Sequence, residues 1–149
     1  MDGDSLVIHP ISFDTASPEG WNAHYNTVID FPESKGPWRK IIMLQTLKCD
    51  STTKGDKYPC GEWDYIWNIF VNVPKKDTLE TFSMGSFVTP YGKRLWLGGE
   101  SGWEWTYDIT DYAPILKGER ELIVGNNQEL LDIKFLFIMS KISIKKSKI

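Results

Sequence analysis

Apolar residues recur at every second position in segment after segment of this chain, the period of a strand with one buried face. Tyr25, Thr27, Ile29 and Phe31 share one parity, as do Trp103, Trp105, Tyr107 and Ile109, and as do Leu131, Ile133, Phe135 and Phe137. Polar residues such as Glu104, Thr106 and Asp108 fill the positions between. Further segments at 6–13, 38–47, 63–73, 82–89 and 121–124 bring the predicted total to about eight strands, a density that points to an all-β sandwich or jelly roll. Turn chemistry separates them at Ser17-Pro18-Glu19-Gly20, at 32–37 between two prolines, and at Pro74-Lys75-Lys76-Asp77, Pro90-Tyr91-Gly92, Gly98-Gly99 and Gly125-Asn126-Asn127. One short helix is predicted, with Thr110 or Asp111 as N-cap before Tyr112-Ala113-Pro114-Ile115-Leu116 and Gly118 as its stop. No internal repeat is visible.

After Ile138 the aromatic alternation gives way to a lysine-rich run. The chain is therefore read as one domain over 1–138 and a tail over 139–149 outside the core. The other reading of the tail is an edge strand, because Ile142 and Ile144 alternate with Ser and Lys. At 149 residues a single domain buries about 70% of the surface its unfolded chain exposes, enough for a core without a metal. The net charge is -3 and basic residues cluster only in the tail, which argues against a nucleic-acid partner. No apolar stretch approaches the roughly 20 residues of a membrane helix, so no membrane span is predicted. The acidic start Met1-Asp2-Gly3-Asp4 is unlike a signal-peptide n-region, and a mature or trimmed chain is expected.

The only two cysteines, Cys49 and Cys60, flank a polar loop with Gly55 and Pro59. That arrangement suits a local disulfide better than a metal site, which wants further ligands. Closing so short a loop stabilises a fold by about 3 kcal/mol in the chain-entropy model and implies an oxidising compartment. Two buried free thiols in a cytosolic protein are the alternative.

Candidate chemistry centres on Cys60-Gly61-Glu62-Trp63-Asp64-Tyr65. In the strand that begins here, Trp63, Tyr65, Trp67, Ile69, Val71 and Val73 are uniformly apolar and face the core. Asp64 falls on the opposite face beside Ile66 and Phe70. A carboxylate half shielded there would have its pKa raised toward the range of a general acid or base, with Glu62 as its partner. The bland alternative is a solvated acid at a strand edge. Of the seven tryptophans, Trp63, Trp67, Trp103 and Trp105 share core parity, whereas Trp21, Trp38 and Trp96 lie beside turns and are candidates for exposed contacts. His9 and His24 read as packed or solvated. No nucleophile elbow, phosphate loop or Cys-x-x-Cys pair occurs, and no metal or cofactor is predicted. Any enzymology is carboxylate chemistry.

Four segments in order resemble the N-terminal domain of the peptide-N-glycosidase F (PNGase F) family and its secreted Bacteroidetes relatives: Cys60 to Asp64, Phe87-Val88-Thr89-Pro90-Tyr91-Gly92, Tyr107-Asp108-Ile109-Thr110-Asp111-Tyr112, and Leu116-Lys117-Gly118 followed by Glu121-Leu122. Gly125 to Phe135 is similar to secreted members, and the likeness spans about residues 5 to 138. It implies an eight-stranded antiparallel jelly roll, in agreement with the strand count, and a secreted or periplasmic location. It also implies an amidase that cleaves between the asparagine side chain and the first N-acetylglucosamine of an N-linked glycan. Asp64 occupies the position of the principal catalytic acid, and Glu62 stands beside it. The family's helper glutamate falls near Asn127, with Glu129 reached by shifting the alignment, and Tyr65 stands where the family has arginine. The family site lies between two jelly rolls, so a second such domain is the expected partner, together with an N-linked glycan or glycoprotein. The alternatives are a noncatalytic glycan- or glycoprotein-binding module and a structural sandwich of a larger secreted protein.

Overall fold

The alternation is realised as strands in the expected order. The computed structural model describes residues 5–18, 23–33, 38–50, 65–89, 101–126 and 129–139. Among them lie β1 (Ser5–Ile11), β2 (His24–Phe31), β3 (Trp38–Lys48), β4 (Ile66–Lys75), β5 (Thr78–Val88), β6 (Trp103–Asp108), β7 (Gly118–Gly125) and β8 (Leu130–Met139). They form two four-stranded sheets, ordered β1-β8-β3-β6 and β2-β7-β4-β5, with every pairing antiparallel. We call them sheet A and sheet B. Only the β4–β5 hairpin joins consecutive strands within a sheet; the other connections cross between sheets, which is jelly-roll connectivity.

The inward parity of each strand meets in one core. Leu131, Ile133, Phe135 and Phe137 of β8 are all at 1% exposure or less, and Ile41, Met43 and Leu47 of β3 are fully buried beside them. From sheet B come Ile29 and Phe31, Trp67, Ile69 and Val71, and Leu122 and Val124. Phe31 meets Phe135 edge-to-face across the sandwich, ring centroids 5.4 Å apart. Burying each such side chain is worth about 1.5–3 kcal/mol, which is what holds the sheets together. Gln45 is the polar exception: it is fully buried, and its Oε1 accepts a 3.2 Å hydrogen bond from Trp67 Nε1 that ties β3 to β4.

Several expectations are corrected. Trp103 has core parity yet is 46% exposed; it opens β6, which is the outer strand of sheet A. Trp38, expected at an exposed contact, packs against the core with its ring 5.1 Å from Phe137. The predicted helix is a single 3-10 turn, Thr110–Tyr112, with Ile109 at the N-cap and no side-chain cap. Asp108 instead accepts hydrogen bonds from Thr110 N at 3.0 Å and Thr110 Oγ1 at 2.6 Å, while Thr110 Oγ1 accepts from Ile41 N at 3.0 Å. These bonds commit the segment to β3, and Pro114 has no N–H with which to prolong a helix. The expected turn at Pro74 is displaced as well: β4 continues through Pro74 and Lys75, which pair with Leu79 and Thr78. β7 pairs only with positions 69–72 of β4, so Pro74 sits where a missing N–H costs nothing.

Between Ile69 and Phe70 the β4–β5 register slips, with Ile69 opposite Gly85 and Phe70 opposite Ser83. The extra residue is Met84, which is buried. Gly85 has φ 138, and a Cβ on it would come within 3.0 Å of the Phe87 ring. The bulge restores parity, so that Thr81, Ser83, Ser86 and Val88 all reach the outer face of sheet B. Among the described residues no helix is long and apolar enough to cross a membrane. The residues after Met139 lie outside the described ones.

Candidate functional site

The sequence motif leads into the start of β4, and the topology gathers several chain segments at that end of the sandwich. In sheet B the terminal pairs there are Ile66 with Val88 and His24 with Gly125. In sheet A they are Lys48 with Leu130 and Leu47 with Trp103. The Trp67–Gln45 hydrogen bond joins the two sheets near this end. Loops are the usual place for recognition chemistry on a rigid sandwich, and here the described ends of four connections meet at one rim.

Tyr65, directly after Asp64, is fixed by two bonds to Thr89: Tyr65 N donates to Thr89 Oγ1 at 2.9 Å and Thr89 N donates to Tyr65 O at 2.9 Å. Both residues are buried, so the clamp replaces water for groups that would otherwise be desolvated without partners. It holds the exit of the Cys60–Tyr65 motif against the entry to the segment from Pro90. The Tyr65 side chain is buried, although it is not part of the core cluster that Trp67, Ile69 and Val71 join. Thr89 lies in one of the resemblance segments, but its pairing with Tyr65 was not legible there, because the two partners are 24 positions apart.

Of the predicted site residues, Glu62, Asp64, Cys60 and Asn127 lie outside the described residues. Glu129 stands just before β8 at 1% exposure, one step past the Lys48–Leu130 pair. Cys49 occupies the matching step past β3 and packs against the core; no described cysteine is a free thiol. The structure thus brings Tyr65, Glu129 and Cys49 to the same rim. Asn126 closes it on the sheet B side, with its N donating to Ala23 O at 3.1 Å and its Nδ2 to Pro18 O at 3.1 Å. Burial raises the Tyr25 phenol above its ordinary value of 10.0; a hydrogen bond to Ser17 opposes this and the charge of Asp50 adds to it. Among the described residues no group of three or more His, Cys, Asp or Glu is arranged to hold a metal.

These features define a jelly-roll sandwich with a loop-built rim. Solved structures share this fold. They include PNGase F, a glycosylasparaginase from Flavobacterium meningosepticum, at 23% identity and TM-score 0.63, and a peptide-N(4)-(N-acetyl-β-D-glucosaminyl)asparagine amidase at 21% and 0.61. A recombinant peptide:N-glycanase F matches at 21% and 0.63. Each match covers 91% of this chain and 42% of the other, so the chain spans about two fifths of the length of those proteins. No family model matches the sequence, and comparison with curated proteins gives no match. At these identities the shared property is the fold, and the chain has a PNGase F-like jelly-roll architecture.

Proposed function

We propose that this chain is the N-terminal domain of a peptide-N4-(N-acetyl-β-glucosaminyl)asparagine amidase F-like hydrolase acting on N-linked glycoproteins, and that it is incomplete on its own. The observation that carries the reading is the fold correspondence over 91% of the chain, with the Glu62-Trp63-Asp64 motif entering β4 at the loop-bearing rim. In this reading Asp64 removes a proton from water, whose oxygen attacks the amide carbonyl carbon. The carbon–nitrogen bond then breaks, the nitrogen leaves protonated as a glycosylamine, and aspartate remains in the peptide. Glu62, Asn127 and the buried Glu129 would position substrate or steady Asp64, with the clamped Tyr65 backbone setting the direction of the motif. A Cys49–Cys60 bridge would fix the loop before it, which accords with Cys49 not being a free thiol, and suits a secreted or periplasmic location. The domain is taken as 1–138, with 139–149 a tail. A second jelly roll would supply the rest of the site, in keeping with the greater length of the matched structures.

Incubation with an N-glycopeptide tests this by mass spectrometry, which resolves aspartate from asparagine in the product. The chain alone should release no glycan; joined to a second jelly roll it should, and Asp64→Asn should abolish release. Release that survives Asp64→Asn removes Asp64 from the chemistry, and an inactive complete protein overturns the amidase reading. A noncatalytic glycan-binding module is the second reading. It is favoured by Tyr65, a buried ring where the resembled family carries arginine.

A further inference from the structure

At the rim end the β4–β5 hairpin is closed by a side chain in place of the backbone. Ile66 pairs with Val88 as the final ladder position, and Tyr65 and Thr89 stand one step beyond it. Two residues opposite each other at a hydrogen-bonded position of an antiparallel pair exchange both N–H···O=C bonds. Here one bond is regular, from Thr89 N to Tyr65 O at 2.9 Å. In the other direction Tyr65 N donates to Thr89 Oγ1, also at 2.9 Å. The hydroxyl takes the place of the Thr89 carbonyl. A backbone bond could come from any residue at position 89, whereas this one needs a side-chain acceptor on Cβ.

Thr89 is suited to hold that bond still. It is 3% exposed and Tyr65 7%, so water does not compete for the donor. Its β-branched side chain is stiff about χ1, and Pro90 follows it in the sequence, which confines its backbone to extended conformations. The hydroxyl holds more than one atom. The N–H of Tyr65 belongs to a rigid plane of six atoms, and Cα of the preceding residue, Asp64, is one of them. Thr89 N fixes the next plane through Tyr65 O. An anchor this close to the backbone that bears a carboxylate sets the direction in which the carboxylate projects, and catalytic geometry tolerates errors of only about 0.5 Å and about 10–20°.

We propose that the Thr89 hydroxyl is a positioning group for Asp64, holding the peptide plane from which Asp64 projects without touching substrate. The inference rests on the amidase reading for what Asp64 does. Thr89→Val keeps the shape and removes the acceptor, whereas Thr89→Ser keeps the acceptor. In the isotope-labelled chain the Tyr65 amide should be as rigid as a core strand, with an order parameter of about 0.85. It should fall below about 0.6 in Thr89→Val and recover in Thr89→Ser, while the amides of Ile69 and Val71 keep theirs. In the chain joined to a second jelly roll, Thr89→Val should lower kcat per folded molecule about 10- to 100-fold with KM changed less than about 2-fold. Thr89→Ser should restore kcat to within about 3-fold. A mobile Tyr65 amide in the unchanged chain, a measurement that needs no variant to fold, overturns the proposal. So does a Thr89→Val protein that keeps a rigid Tyr65 amide or full kcat. Equal impairment in Thr89→Ser overturns it too, since packing and not the hydroxyl would then be the cause. A two-domain parent that releases no glycan, a result seen before Thr89 is changed, overturns the amidase reading and this inference with it.

Discussion

Asp108 shows how a single outward carboxylate is put to structural use. The Thr110 hydroxyl, then the Thr110 backbone N–H, and Lys40 Nζ at 3.8 Å hold it below its ordinary value of 3.8. A group whose folded pKa lies below its unfolded one stabilises the fold above the unfolded value, and that stability is lost as pH falls through the folded value. Stability measured by urea unfolding should therefore exceed that of Asp108→Asn by a constant amount above about pH 5, and the difference should shrink toward pH 2. A difference that does not change with pH would show that Asp108 acts through shape alone. Its outward position was legible from parity. Its partner was misread, because Thr110 before a polar turn looks like a helix cap until β3 supplies Ile41 N to the same hydroxyl.

At the scale of the element, the β4–β5 hairpin depends on its bulge. Gly85 takes a positive φ that other residues adopt at a cost, so Gly85→Ala should destabilise the protein by about 1 kcal/mol or more, read from the shift in denaturation midpoint. It should also disturb the outer row, where Ser86 meets Asn68 and Thr81 Oγ1 donates to Asn72 Oδ1. Asn72 in turn donates to Glu121, which also accepts from Asn26 of β2, so the row spans the whole sheet. An unchanged midpoint would mean that the bulge relaxes without loss. Strands of period two were readable one at a time, since alternation is local. The bulge was signalled only by a glycine inside an apolar run, and the rank of β6 as an outer strand, which exposes Trp103, was not signalled at all. Strand order is a property of pairings between distant segments.

For the whole molecule, the rim assembles residues that no local pattern unites: Cys49 after β3, Tyr65 before β4, Thr89 after β5, and Asn126 and Glu129 between β7 and β8. The Cys60–Asp64 motif could be found by resemblance, whereas the Tyr65–Thr89 clamp required the fold. If Cys49 is bridged to Cys60 as proposed, reduction should lower unfolding stability by about 3 kcal/mol, and a midpoint indifferent to reductant counts against the bridge. The place of β8 carries a last implication. It lies between β1 and β3 in sheet A and is the final described strand to leave the ribosome, whereas β2, β4, β5 and β7 are all made before it. Sheet B can therefore form while sheet A still lacks its centre, and during synthesis the edges of β1 and β3 stay open to wrong partners until those last residues emerge.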